Sequence, residues 1–151
     1  MALRKVYFAH SGEAQLNEWI VDKPGRVSLL DGLPDPPDRF PWLSEKDLAV
    51  FVDAFRAGGF RAPLNRYRAQ RLDVAELASV RGKTIDQPAC FIAGERDPVR
   101  SFVPGRDRYE DPGFACSDFR GCYIIPAVGH WVQQEAPEAT NRALEAFLNG
   151  L

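Results

Sequence analysis

Pro88-Ala89-Cys90-Phe91-Ile92-Ala93-Gly94-Glu95-Arg96-Asp97-Pro98 is a short apolar run that closes on glycine and opens into charge. Its length, its β-forming residues and the abrupt polar end predict a buried strand over 89–93. Gly121 to Pro126 repeats the pattern, with Cys122, Tyr123, Ile124 and Ile125 followed by Gly129-His130. A helix then starts at Pro137, with Ala139 or Thr140, Leu144, Phe147, Leu148 and Leu151 as its expected inner face. Strand, connection, strand, helix is an α/β pattern. Two parallel strands alone cannot form a sheet buried on both faces, so the sheet is expected to be incomplete.

Upstream, the first forty residues carry turn formers (Gly25, Asp31-Gly32) and the prolines Pro34, Pro36, Pro37 and Pro41. They are expected to run as irregular loop over something else. Ser44 followed by Asp47 is a capping-box variant, and Leu48, Phe51, Val52 and Phe55 share one helical face, ended by Gly58-Gly59. Further helical pieces are expected over 64–71 and 74–80, with Arg81-Gly82-Lys83 as connector. The character of the chain changes there, which divides it into residues 1–81 and 82–151. No internal repeat is present.

The chain has 151 residues, 45% of them hydrophobic and 26% charged, enough for one domain's worth of modest core. The net charge of −2, with acids and bases interleaved, offers no field for a phosphate backbone, so nucleic acid is not an expected partner. No apolar run approaches the ~20 residues that span a bilayer, and residues 1–8 lack a signal-peptide core, so no membrane association and a cytoplasmic location are expected. Cys90, Cys116 and Cys122 form no C-x-x-C pair, and their odd number argues for free thiols over a Cys116–Cys122 disulfide. No histidine stands at ligand spacing from them; no metal and no cofactor are expected.

Functional groups in open α/β sheets sit just past the carboxyl ends of strands, and Asp97 and His130 both do. An aspartate accepting from one imidazole nitrogen fixes the tautomer and leaves the other nitrogen to take a proton. The acid precedes the histidine by 33 residues, the order used late in α/β-hydrolase chains. By spacing alone an Asp-Pro after a strand is more often a turn, and a histidine before tryptophan more often packed than catalytic. The local motifs go further.

Gly94-Glu95-Arg96-Asp97-Pro98-Val99 and Gly129-His130-Trp131-Val132-Gln133-Gln134-Glu135-Ala136-Pro137 resemble the acid and histidine motifs of α/β-hydrolase-fold epoxide hydrolases. Trp42-Leu43-Ser44-Glu45, Gly59-Phe60-Arg61 and Pro63-Leu64-Asn65-Arg66-Tyr67-Arg68 look like the later part of that family's helical cap. Tyr67 matches the cap tyrosine that contacts the epoxide, and Tyr7-Phe8 looks like the site of the first. The resemblance covers nearly the whole chain and implies the C-terminal part of an α/β-hydrolase fold: the remainder of the cap over 1–81 and part of the core over 82–151.

It implies a small-molecule epoxide as substrate. An aspartate would attack a ring carbon, two tyrosine hydroxyls would donate to the ring oxygen, and histidine-activated water would hydrolyse the ester to a diol. His130 would be the base, Asp97 its orienter, Tyr67 and Tyr7 the donors, with Trp131 and Trp42 lining the pocket. The family's nucleophile elbow and its His-Gly oxyanion loop have no counterpart here, since only six residues precede Tyr7. Asp22, Asp31 and Asp53 lie in loop or helix contexts and are not promoted to nucleophile. The isolated chain is therefore expected to be incomplete, inactive and marginally stable.

Two other readings stand beside this one. A dehalogenase shares the ester and histidine steps, but the paired tyrosines argue against it. A non-catalytic remnant, or a subunit joining a nucleophile-bearing chain or its own copy, draws on the missing sheet, whose apolar edge needs covering. His10 is read as a solvated loop histidine, and Arg96 and Arg100 as surface charges.

Overall fold

The computed structural model describes residues 2–14 and 28–151; Asp22 and Gly25 lie outside the described residues. Helix α1 (Ala2–Ala9) opens it, so the start of the chain is helical where loop was expected. Eight residues are too few for a helix to sustain itself in water, and two turns give too little periodicity to read. Tertiary contacts supply what propensity does not. Leu3, Phe40, Leu43 and Leu48 form a buried cluster, and Tyr7, Phe8, Trp42, Phe51, Val52 and Phe55 pack around it.

The proline-bearing stretch does run as loop over a partner. Arg4 on α1 pairs with Glu45 at 2.7 Å and donates to the carbonyls of Pro37 and Asp38, while Lys5 meets Asp35 at 2.7 Å. Helix α2 (Glu45–Gly58) begins where the capping signal placed it: the Ser44 hydroxyl accepts from the Asp47 N–H at 3.1 Å. It ends at Gly59, whose φ of 67° lies in the left-handed region that glycine tolerates. Helices α3 (Arg61–Arg68) and α4 (Gln70–Glu76) and a 3₁₀ turn (Leu77–Val80) follow, and none of their residues is buried.

Strands β1 (Ala89–Gly94) and β2 (Phe119–Ile125) pair in parallel, with Ile92 opposite Tyr123 and Gly94 opposite Ile125. They form the two-stranded sheet expected, and the three cysteines are free. Between them a 3₁₀ turn (Pro98–Ser101) follows Asp97. After β2 come α5 (Val132–Glu135) and α6 (Pro137–Asn149). Ile125, Val128 and Val132 make a second buried cluster, flanked by Ile92, Ala136 and Ala139.

The expected inner face of the last helix is corrected in part. Thr140 and Ala143 are buried, whereas Leu144, Leu148 and Leu151 are exposed, Leu148 at 60%. Two strands about 4.8 Å apart are narrower than the apolar face of α6, so its outer stripe has nothing to lie on.

Close backbone approach also joins the two parts of the chain. A Cβ at Gly94 would strike the carbonyls of Val128 and Gly129, one at Gly12 the carbonyl of Ala127, and one at Gly129 the backbone of His10, Ser11 and Gly12. Three chain segments thus meet at three glycines, and none of these backbones can shift without moving the other two. Gly94→Ala is expected to lower the unfolding free energy by about 1–3 kcal/mol in a urea melt. Gly58→Ala, where an added Cβ meets nothing within 4 Å, is expected to leave it unchanged or slightly raised.

Candidate active site

Asp97 leaves the end of β1 in extended backbone and immediately caps the 3₁₀ turn, its Oδ1 accepting from the Val99 N–H at 2.8 Å. That capping turns the side chain back under the sheet end, where Asp97 is 3% exposed. Its other oxygen, Oδ2, accepts from His130 Nδ1 at 2.8 Å and from the Tyr109 hydroxyl at 2.6 Å. A buried carboxylate needs such partners on both oxygens.

His130 reaches Asp97 from the loop after β2, which passes through Ala127 at φ 60°, a left-handed conformation a side chain adopts only when surrounding contacts hold it. The His130 N–H donates to the His10 carbonyl at 2.7 Å. The Glu135 carboxylate gathers three N–H groups around this point: Gly12 at 2.7 Å, Gly129 at 3.0 Å and Trp131 at 3.1 Å. The histidine is held by its own backbone, by the loop after α1 and by α5. With Nδ1 donating to Asp97, the neutral imidazole carries its lone pair on Nε2, which has no hydrogen bond among the described residues.

The aromatic wall beside His130 is close-packed. Trp131 stands edge-on to its ring at 5.0 Å, Tyr7 lies 4.5 Å from Trp131 and 5.3 Å from Phe51, and Trp42 follows at 6.4 Å from Tyr7. Trp131 Nε1 donates to the Tyr7 carbonyl at 2.9 Å. Burial pushes the Tyr7 phenol up. The Trp42 indole N–H is buried and has no partner among the described residues. So Asp97, His130, Trp131, Tyr7 and Trp42 share one neighbourhood. Tyr67 does not join it: it is 69% exposed on α3, and no hydrogen bond or ring contact links it to the others among the described residues.

Five further residues shape the site, and none was assigned a role in it from the sequence. Tyr109 acts on Asp97 from a stretch without a motif, and Glu135, inside the histidine motif of residues 129–137, acts on the His130 loop. His10, read as a solvated loop residue, is instead packed 5.9 Å from the His130 ring with Nδ1 2.9 Å from the Val6 carbonyl, and burial lowers its pKa. Arg96 is exposed yet donates to the Gly12 carbonyl at 3.0 Å. Arg100 is no plain surface charge: it pairs with Asp107 and donates to the Glu95 carbonyl at 3.2 Å.

Burial alone would raise the Asp97 pKa, but the hydrogen bonds from His130, Tyr109 and the Val99 N–H together outweigh it and hold it below the ordinary carboxylate value. The Asp97 hydrogen bond raises His130 above the usual imidazole value; burial opposes this, and the charge of Glu135 adds to the rise. Asp97 thus contributes stability that is present above the unfolded carboxylate pKa and lost as pH falls through its lowered folded value. His130 contributes stability that is full below its unfolded pKa and lost as pH rises through its raised folded value.

No family model matches the chain. Epoxide hydrolase B of Mycobacterium tuberculosis is 40% identical over 116 residues, covering 76% of this chain and 32% of the relative. Epoxide hydrolase A of the same organism is 37% identical over 131 residues, covering 85% and 38%. Among solved structures, epoxide hydrolase A of Mycobacterium thermoresistibile superposes with a TM-score of 0.83 at 31% identity, covering 99% of this chain and 45% of that one. An epoxide hydrolase from an endophytic Streptomyces gives 0.84 at 32%, covering 98% and 45%. The chain spans about a third of the length of these curated relatives and under half of the solved ones. Its fold is that of the C-terminal part of an α/β-hydrolase-fold epoxide hydrolase.

The pH dependence of stability checks the pairing. The unfolding free energy lost in Asp97→Asn is expected to be greatest between about pH 4 and 6.5, near 1–3 kcal/mol for hydrogen bonds to a charged group. It should narrow at lower pH and again above the raised His130 pKa. A loss that does not vary with pH would show that the two groups are not linked to folding as a pair.

Proposed function

With this kinship to epoxide hydrolases as premise, we propose that the chain supplies the base-bearing part of a site that converts a small-molecule epoxide and water to a vicinal diol through an aspartyl ester. The observation that carries the reading is the buried Asp97 bonded to His130 Nδ1 beside the Tyr7–Trp131 wall, which leaves Nε2 as the proton acceptor. Residues 1–81 are the cap portion and 82–151 the core portion, a division supported by the two separate hydrophobic clusters.

In the first step a carboxylate oxygen bonds to a ring carbon, the ring C–O bond breaks, and the ring oxygen takes a proton from a tyrosine hydroxyl. A phenol suits this because it is a neutral donor near pH 7 that first hydrogen-bonds and then protonates a developing alkoxide. Tyr7 and Tyr67 are the proposed donors. Tyr67, exposed on α3, needs α3 and α4 to be drawn over the pocket. In the second step His130 Nε2 takes a proton from water, the hydroxide adds to the ester carbonyl, and the alkoxide of the diol leaves with a proton. Asp97 steadies the imidazolium meanwhile.

The attacking carboxylate is proposed to come from polypeptide outside these 151 residues. Asp53 is committed to Arg56 on an exposed helix, and Asp31 accepts from the Ser28 N–H in a turn. The exposed Ile124 on the sheet and Leu144, Leu148 and Leu151 near the C-terminus support association with such a segment, because these apolar side chains otherwise stay in water. Trp131 and Trp42 form the substrate wall.

Hydrolysis of a chromogenic epoxide tests the reading, using the chain alone and mixed with the N-terminal half of a related epoxide hydrolase. Activity is expected only in the mixture and is expected to fall at least about 1000-fold in His130→Ala, since the removed group is the base of the ester-cleaving step. A complex that forms without activity would favour a non-catalytic association instead. Within an active mixture, Tyr7→Phe and Tyr67→Phe are each expected to lower the rate of ester formation by about 10–100-fold while leaving ester hydrolysis unchanged, as single-turnover kinetics would read.

A further inference from the structure

Tyr109 comes from a stretch of turns between the 3₁₀ turn and β2, yet its ring is firmly placed. It stands edge-on to Phe91 of β1 at 4.8 Å, and its N–H donates to Asp107 Oδ1 at 2.9 Å. Asp107 is pinned by Arg100, whose guanidinium also lies 5.8 Å from the Tyr109 ring centre, and the Arg108 N–H donates to the Arg100 carbonyl at 3.1 Å. A mobile turn would not hold a phenol in one direction. This one is tied down through ring, N–H and neighbouring backbone so that its hydroxyl reaches Asp97 Oδ2 at 2.6 Å.

That oxygen is the one to which His130 Nδ1 donates. The two donors compete for the charge of a single carboxylate oxygen, so each weakens what the other receives. We propose that Tyr109 is a positioning residue of the relay, whose hydroxyl fixes the Asp97 carboxylate and limits its pull on the His130 proton, so that the imidazole gives up its charge, and becomes able to act as base, more readily than Asp97 alone would allow. The proposal rests on the reading of His130 as that base.

The other groups facing His130 do not duplicate this effect. Glu135 from α5 favours the imidazolium, and His10 from the loop after α1 disfavours it when charged. Only Tyr109, among these, acts through the Asp97 oxygen. The phenol itself is pushed up by burial and by the Asp97 charge, so it remains a donor across the working range. Arg100, Arg108 and Asp107 surround the phenol without reaching the imidazole in any hydrogen bond.

The chain has only two histidines, so the ring protons of His10 and His130 can be followed separately by NMR in a pH titration. In Tyr109→Phe, which keeps the ring against Phe91, the His130 pKa is expected to rise by about 0.5–1 because the carboxylate regains the charge it shared. 3-Fluorotyrosine at position 109, a stronger donor of the same shape, should lower it; this second variant decides the matter if Tyr109→Phe does not fold. In the reconstituted mixture the acid limb of kcat should move to higher pH with KM unchanged. A His130 pKa that stays put in both variants while Asp97→Asn lowers it would overturn the proposal. If the His130 pKa moves as expected and no mixture hydrolyses an epoxide, the tuning stands and the epoxide hydrolase reading fails.

Discussion

Three backbone segments meet where no side chain fits, and much else in the structure depends on that junction. Gly12 follows α1, Gly94 ends β1 and Gly129 precedes His130; a Cβ on any of the three would strike the backbone of another segment. Close approach brings the N–H groups of Gly12, Gly129 and Trp131 within reach of one carboxylate, Glu135. The N–H groups would be costly if left unpaired in a part-buried site, so the glycines and the glutamate form one device. It sets the distance between the helical N-terminal cluster and the sheet, and with it the height of His130 above Asp97.

Asp97 shows how one residue can serve fold and chemistry together. Its Oδ1 caps the turn that ends β1, and its Oδ2 orients His130. The capping bond is what aims the second oxygen. Burial then makes the carboxylate's charge count, because nearby dipoles act in a medium that screens them less than water does. A more exposed aspartate with the same bonds would hold His130 less firmly and perturb it less.

The exposed apolar residues have a common geometric cause. A two-stranded sheet buries one strip of α6 and leaves Leu144 and Leu148, with Leu151 beyond the helix end, in water, while Ile124 sits on a strand with an uncovered face. Helices α3 and α4 bury nothing, so Leu72, Val74 and Tyr67 are exposed as well. In the solved relatives this chain matches under half of the polypeptide. Surfaces of this kind are what an α/β sheet buries beneath further strands and helices.

Residue pattern alone sets the local elements with strong signals: the apolar runs of β1 and β2, the Ser44 cap and Gly59 stop of α2, and the placement of Asp97 and His130 just past two strand ends. These are legible because hydrophobic period, capping and strand-end chemistry act over a few residues. Packing is what makes residues 2–9 helical, sets His10 against His130 and brings Tyr109 and Glu135 into the site. Each of those depends on a contact between segments far apart in the chain, which no local pattern encodes. Leu3 and Tyr7 form a helix face only because α2 lies beneath them, and a tyrosine in a stretch of turns becomes a partner of Asp97 only because Arg100 and Phe91 hold it there.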